Sequence, residues 1–560
     1  MYMCIWTGWL SILDQPLTRR NYYGLSLLVA LIYTCHIFPL SFFIGSSGFW
    51  FDTRTDPTQH VTGMWAFAQD AWHFPLLYTD LLNAPEGVSA AFTDSIPLAA
   101  IPFKFIYKWF APDSHFFGVW MLGCYVMQGV AGAYAAASFK TRTLSAVIAG
   151  TLFAVMMPSL MIRIPHAALN AQFLLIFMLA FYVRLRRGEL SGRGFLLGGG
   201  GLLLLAATIH PYLLAMLFPL YAVALLAAQL SGSMISWRGT FAGLLVPLPL
   251  LFAVLYCLGY LSLAKGLPPP EGGFIESSMN LLSPLLGTQL APSVFLPSKG
   301  ITLDATGMQI DGHNYLGVSL LLMLIYLIMF HTKQLLISLR KHWLMALLML
   351  GLTLYSLSNR IYLGSTVVAE YPLPGFIEPL THVFRGSGRF FWPVGYALLI
   401  SALGLFLCRA HPGYRLILLL LVVLQYIDTR HHRGYLAEAA GRQPYFAYDR
   451  NEWDARVANA RQVYLLPTYG CGGSGTDALF LQYFSALHAV PLNTGFIARV
   501  VTACEDKASV LDRPRQSKEL FIFGHGAQNK VPQERIEHAM QGHYAEWCQE
   551  EAIGTVCTVP

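Results

Sequence analysis

The chain has 560 residues, of which 55% are hydrophobic and only 12% charged, with a formal net charge of +6. Soluble domains carry about twice that charged fraction, and several apolar runs reach the roughly 20 residues needed to cross a hydrocarbon core. A soluble globular protein is excluded, and the small, dispersed positive balance leaves no nucleic-acid footprint; the expectation is a polytopic, all-α membrane protein.

From the N-terminus, hydropathy marks about eleven spans, at residues 22–44, 116–138, 143–162, 168–183, 194–210, 211–230, 239–263, 315–331, 342–357, 391–408 and 413–428. No small-residue cleavage pattern follows the first, which reads as an uncleaved signal anchor. Lys and Arg favour one set of connections: Arg19 and Arg20, Lys140 and Arg142, Arg184, Arg186, Arg187 and Arg193, then Arg238, Lys333, Arg340, Lys341, Arg409 and Arg415. The positive-inside rule makes that side cytoplasmic. The N-terminus is then cytoplasmic, and the 45–115, 264–314 and 358–390 loops and the C-terminal tail lie outside, as in a bacterial inner-membrane protein with a periplasmic domain.

Directly behind the first span comes WFDTRTDPTQHVTGMWAF, which puts Asp52, Asp56 and His60 where a helix leaves the bilayer. Further along the same loop, WAFAQDAWHFPLL and SIPLAAIPFKFIYKWF interleave aromatic and aliphatic residues with few charges. They read as two interfacial helices, with Lys104 and Lys108 reaching toward headgroup phosphates. Between them, FTDSIPL carries Asp94. Outside tips add Arg163 and His166 in RIPHAALN and His210 in TIHPY. The 264–314 loop opens with the turn-rich GLPPPEGG and holds Glu276, Asp304, Asp311 and His313. FRGSGRF, just before the tenth span, supplies Arg385 and Arg389, two guanidinium groups able to fork onto a phosphate.

After Asp428 the composition turns polar, so residues 1–430 form the membrane domain and 431–560 a small soluble α/β domain. RQVYLLP, HAVPLN and KELFIFG read as strands, and DALFLQYFSALH and RIEHAMQGHYAEW as helices. YGCGGSG lacks the Lys-Ser/Thr of a phosphate loop and reads as a disulfide-tethered turn. Cys471, Cys504, Cys548 and Cys557 all fall in this outer domain. Four cysteines in an oxidising compartment point to two disulfides, with three connectivities open.

Acids and bases held together at one aqueous face resemble the GT-C class of integral-membrane glycosyltransferases. Those enzymes use polyprenyl-phosphate-linked sugars and carry an acidic residue just beyond the first span and two interfacial helices in the first outer loop. Protein mannosyltransferases and the aminoarabinose transferase of lipid A have an Asp-Glu pair near that point. Here TDPTQH puts Asp56 in the matching place, but Pro57 replaces the second acid, so Asp52 competes as the base. DPTQHVTGMWAF, FTDSIPL and FRGSGRFFWP also look like an uncharacterised family of bacterial membrane proteins grouped with that class. The resemblance implies an inverting transferase moving a sugar from a polyprenyl-phosphate donor to a glycan, lipid or protein acceptor. Asp56 or Asp52 would be the general base, with His60, Asp94, Lys104, Arg163, His166, His210, Glu276, His313, Arg385 and Arg389 around the substrates and membrane lipid. No cysteine–histidine spacing matches a zinc site; no metal or other cofactor is assigned, and a divalent cation stays open. Two other readings compete. A flippase for a lipid-linked saccharide would use ionisable groups within the membrane, for which only His36 and Asp428 offer themselves. A scaffold recruiting envelope partners through its tail would need no acids at the first exit.

Overall fold

The computed structural model describes residues 13–560 apart from 140–141, 233–234, 262–272, 297, 410–412, 499–503, 505–508 and 526–530. Lys140 and nearly all of GLPPPEGG therefore lie outside the described residues.

Among the described residues, seven helices are long and apolar enough to cross a membrane: Phe117–Ala137, Ala167–Arg186, Gly192–Ile209, Pro211–Leu230, Trp237–Cys257, Val318–Lys341 and Ser387–Leu407. The other four expected spans are also helical, as Arg19–Ile37, Leu144–Val155, Trp343–Leu357 and Gly413–Asp428, but they fall outside that set. Leu144–Val155 and Trp343–Leu357 are apolar yet short. Hydropathy found the helices; among the described residues seven of them are individually both long and apolar enough to cross a membrane.

Local chemistry sets the helix starts. Thr143 and Ser191 accept hydrogen bonds from the backbone N–H of Ala146 and Gly194, satisfying donors that the first turn leaves unpaired. Pro57 and Pro211 occupy the first turns of Asp56–Gln69 and Pro211–Leu230, where a missing N–H costs nothing. The basic residues gather at one end of the bundle. There Arg184 donates to Ser138 Oγ at 3.0 Å, and Arg415 bonds Asp14 at 2.7 Å and the Phe406 and Leu407 carbonyls.

At the opposite end the first loop folds inward. Its two short strands, β1 (Tyr78–Thr79) and β2 (Val88–Ser89), pair antiparallel. It holds two helices, Asp56–Gln69 and Pro97–Ile106. Of the expected interfacial segment WAFAQDAWHFPLL only residues 65–69 are helical, with Trp72 and Phe74 exposed beyond the helix end. The second segment is helical over Pro97–Ile106, with Leu98, Phe105, Ile106, Trp109 and Phe110 exposed. Residues Pro57 to Phe67 of the first helix are all buried. The reason is the C-terminal domain: its helix Gly475–Leu487 packs on Asp56–Gln69, and Gln482 Nε2 donates to Thr62 Oγ1 at 2.8 Å. Gln59 Nε2 donates to the Phe496 carbonyl at 2.7 Å, and Leu492 N to Leu81 O at 2.9 Å. One continuous apolar core joins the membrane helices to this domain.

A hairpin of β3 (Arg360–Leu363) and β4 (Thr366–Glu370) precedes the last two long helices. In the C-terminal domain, β5 (Gln462–Leu466) runs parallel to β6 (Glu519–Gly524). β8 (Gly554–Thr558) lies antiparallel to β6 on one side and to β7 (Cys548–Glu551) on the other, giving the order β5-β6-β8-β7. HAVPLN makes only isolated bridges, through Leu492. RIEHAMQGHYAEW breaks into Gln533–Ala539 and Tyr544–Trp547, with Gly542 at φ +87° between them, a conformation glycine adopts without a Cβ clash. Two disulfides are present, Cys471–Cys504 and Cys548–Cys557. The second joins directly opposed residues of β7 and β8.

Candidate functional site

The turn Gly48–Phe51 delivers Asp52 and Asp56 to very different surroundings. Asp52 is fully buried. Arg54 grips both of its oxygens, Nε on Oδ1 and Nη2 on Oδ2, each at 2.9 Å, and Arg442 also reaches Oδ2 at 3.4 Å. Burial is the largest single influence and opposes its charge, but the Arg54 hydrogen bonds and both guanidinium charges outweigh it and hold the carboxyl below the usual carboxylate range. Asp52 thus ties the first loop to the start of the C-terminal domain. Asp56, by contrast, keeps 40% of its side chain exposed, with His166 Nε2 at 3.7 Å as its neighbour.

Three histidines from three elements surround Asp94. His210 caps Pro211–Leu230: its Nδ1 accepts from Tyr212 N at 3.1 Å, so its Nε2 must carry the proton and donate to Asp94 Oδ1, also at 3.1 Å. The other oxygen, Oδ2, faces His60 Nε2 at 3.7 Å and His166 Nδ1 at 3.9 Å. His60 is fully buried, and both its ring nitrogens lack a hydrogen-bond partner. Asp94 itself adopts the left-handed conformation, φ 53°, which aspartate tolerates better than most residues. Gly63 permits the close approach: a Cβ there would stand 1.9 Å from Thr93 Oγ1. Burial raises the Asp94 carboxyl, but His210 leads the opposing influences, through its charge and its hydrogen bond, and the carboxyl is held well below the usual range. Burial, then the charge of Arg389, pulls His166 down to about 4, so at neutral pH this imidazole is uncharged and its lone pair is free.

Beside this cluster stands a clamp of three charges. Asp311 lies between Arg163, which bonds its Oδ1, and Arg389, whose Nη2 reaches Oδ2 at 2.6 Å. Arg163 also donates to the Ile310 carbonyl at 3.0 Å. Burial opposes the Asp311 charge, but Arg389 and Arg163 overcome it and keep the carboxyl well below its usual range. QIDG and FRGSGRF meet backbone to backbone, since a Cβ on Gly388 would stand 2.3 Å from the Gly312 Cα. Arg389 stacks over Tyr212 at 4.9 Å, and its buried Nε has no partner. Arg385 is half-buried and has no ion pair among the described residues. Tyr469, from the YGCGGSG turn tethered by Cys471–Cys504, lies within electrostatic reach of Asp56 and Arg385.

Several residues expected here are engaged elsewhere. Lys104 turns inward, donating to the Phe67 and Ala71 carbonyls at 2.7 and 2.9 Å. Burial pulls its ammonium down to about 8, and it serves the end of the helix Asp56–Gln69 rather than a headgroup. Glu276 caps the backbone of Gly273. His313 Nε2 meets His432 Nε2 at 3.2 Å, both rings buried, so one must donate and the other accept. Asp311 and Tyr212 were missed as site residues. The only sequence signal for Asp311 was its place between the glycine-flanked QIDGH and a loop already rich in acids.

Among curated proteins, none matches the chain. Residues 452–546 match the C-terminal domain that accompanies a larger family, DUF6311. Residues 27–430, which hold every member of the cluster and the clamp, match that family's main domain of unknown function, and the chain belongs to the DUF6311 family.

Proposed function

We propose that this protein is a membrane glycosyltransferase that takes a sugar from a polyprenyl-phosphate donor at the outer face of a bacterial inner membrane. Asp56 is the general base. The observation that carries the reading is a part-exposed carboxylate, with no guanidinium partner among the described residues, close to a buried guanidinium clamp. A bond forms between the acceptor hydroxyl oxygen and the anomeric carbon while the bond from that carbon to the phosphate oxygen breaks. Asp56 takes the hydroxyl proton, and the lipid phosphate leaves as an anion stabilised by cations. A single displacement inverts the anomeric centre. Arg385, half-buried, and Arg389, whose side chain keeps 12% of its surface exposed, are the groups left to meet that phosphate, because Arg163 is committed to Asp311 and Ile310. Asp52 is excluded as the base on physical grounds: buried, and held ionised by two arginines, it presents no oxygen to an acceptor.

The flippase reading loses its membrane-embedded candidates. Asp428 is buried and accepts from Ser293, from Tyr315 Oη at 2.7 Å and from Val318 N at 2.9 Å, which is a structural role. His36 meets Tyr426 Oη at 3.0 Å on an exposed face. Proteoliposomes loaded with a radiolabelled polyprenyl-phosphate sugar and membrane extract test the two. Transfer of label to a water-soluble, lipid or protein product supports the enzyme; faster transbilayer movement of intact donor without transfer replaces it with the flippase.

A further inference from the structure

We propose that His60, His166 and Asp94 bind one divalent transition-metal ion of the borderline class, such as zinc. The site stands on its own geometry, whether or not the protein transfers a sugar.

One atom from each side chain can be chosen so that all three lie within 4.8 Å of one another. Four-coordinate zinc, with bonds of about 2.0–2.2 Å, needs its ligands roughly 3.4 Å apart. Nitrogen-to-oxygen separations of 3.7 and 3.9 Å are thus a few tenths of an ångström too wide for closure and too long for hydrogen bonds. Two imidazoles and one carboxylate are a donor set that suits borderline ions and leaves positions open for another ligand. A hard ion such as magnesium, which prefers oxygen donors and keeps its waters, is disfavoured.

A second, independent observation comes from His60. It is fully buried, its ring nitrogens have no hydrogen-bond partner, and Nε2 aims at Asp94. An unpaired buried polar group of this kind is destabilising, and a cation bound at Nε2 gives that nitrogen a partner. Behind the other two ligands stand groups of the kind a metal site uses. His210 Nε2–H pins Asp94 Oδ1 and leaves Oδ2 for the ion, with the His210 tautomer fixed by Tyr212 N. Asp56 Oδ2 stands 3.7 Å from His166 Nε2, so its negative charge favours the tautomer with the proton on Nε2 and leaves the Nδ1 lone pair for the ion. The three ligands are 34 and 72 residues apart along the chain, which is why no spacing motif announced them.

A second cluster, Asp70, His73 and Asp80, has one exposed member, and Asp70 is already saturated by Ala71 N, Thr79 Oγ1 and Asp80 N. It serves as the internal control. Full-length, tag-free protein in nanodiscs is stripped with chelator, equilibrated with zinc, desalted and assayed by elemental mass spectrometry. The expected result is about one zinc per chain in the wild type and in His73→Ala, and a loss of affinity of more than about 100-fold in His166→Ala. The outer-shell variant Asp56→Asn, exposed enough to fold, should weaken binding by 10- to 100-fold. No zinc retained by the wild type overturns the proposal. So does equal retention by the wild type, His166→Ala and Asp56→Asn, or loss in His73→Ala alone. Sugar transfer is not part of the readout, so failure of the transferase reading leaves the result intact, and the reverse holds too.

Discussion

Replacing Asp311 by alanine strands two guanidinium groups, and the cost follows from their burial. The side chains of Arg163, Arg389 and Asp311 are 4%, 12% and 16% exposed. Removing one partner of such a buried ion pair costs roughly 3–5 kcal/mol, because the remaining charge stays desolvated. The exposed pair Arg360–Glu370, at 3.6 Å with side chains 44% and 59% exposed, is the internal comparison, and Glu370→Ala should cost at most about 1 kcal/mol. The difference of roughly 2–4 kcal/mol corresponds to about a 30- to 1000-fold shift in the local opening equilibrium. Hydrogen exchange followed by mass spectrometry reads that shift on peptides covering 273–316 and 384–392, where Gly388 N bonds Ser277 O at 3.0 Å and Met279 N bonds Ser356 O at 2.7 Å. Asp311→Ala should accelerate exchange there by at least tenfold more than Glu370→Ala does. Equal exchange in the two variants would refute the reasoning that the clamp is a buried, mutually dependent unit.

Non-reduced peptide mapping should recover Cys471–Cys504 and Cys548–Cys557 and no other pairing. From loop lengths of 33 and 9 residues, losing the first should cost about 4 kcal/mol and the second about 2.5 kcal/mol, measured by denaturation of single-bridge variants. Because Asp52 titrates below its unfolded value of about 3.9, its ion pairs stabilise the fold above that pH and fail as pH falls through the folded value. The stability advantage of the wild type over Asp52→Asn should therefore be full above about pH 4 and shrink as pH falls below it, and an advantage that grows on acidification would contradict the pairing. Gly63→Ala should cost about 1–3 kcal/mol by overpacking against Thr93, seen as a lower thermal midpoint; an unchanged midpoint would mean that the turn carrying Asp94 is loosely held.

The helical segments were legible because a bilayer demands long apolar runs, and the C-terminal cysteine pairs were legible because chemistry restricts where disulfides persist. Strands β7 and β8 were not, since CQEE and GTVCT are short and hold their place through the sheet and a disulfide rather than through alternation. The acids and histidines were found one tip at a time. What the chain alone could not reveal was which of them meet. Asp94 joins His60, His166 and His210, whereas Lys104, Glu276 and His313 turn to backbone or to a buried partner. The docking of Gly475–Leu487 onto the first loop was hidden for a similar reason: it rests on contacts between residues some 420 positions apart, such as Thr62 and Gln482.

The proton acceptor is the centre of this account, and one substitution reaches it. Asp56→Asn keeps the shape of the side chain but cannot take a proton. Transfer of labelled sugar from a polyprenyl-phosphate donor, measured in nanodiscs, should fall about 10²- to 10⁴-fold, while donor binding persists through Arg385 and Arg389. Undiminished transfer by Asp56→Asn would contradict the assignment.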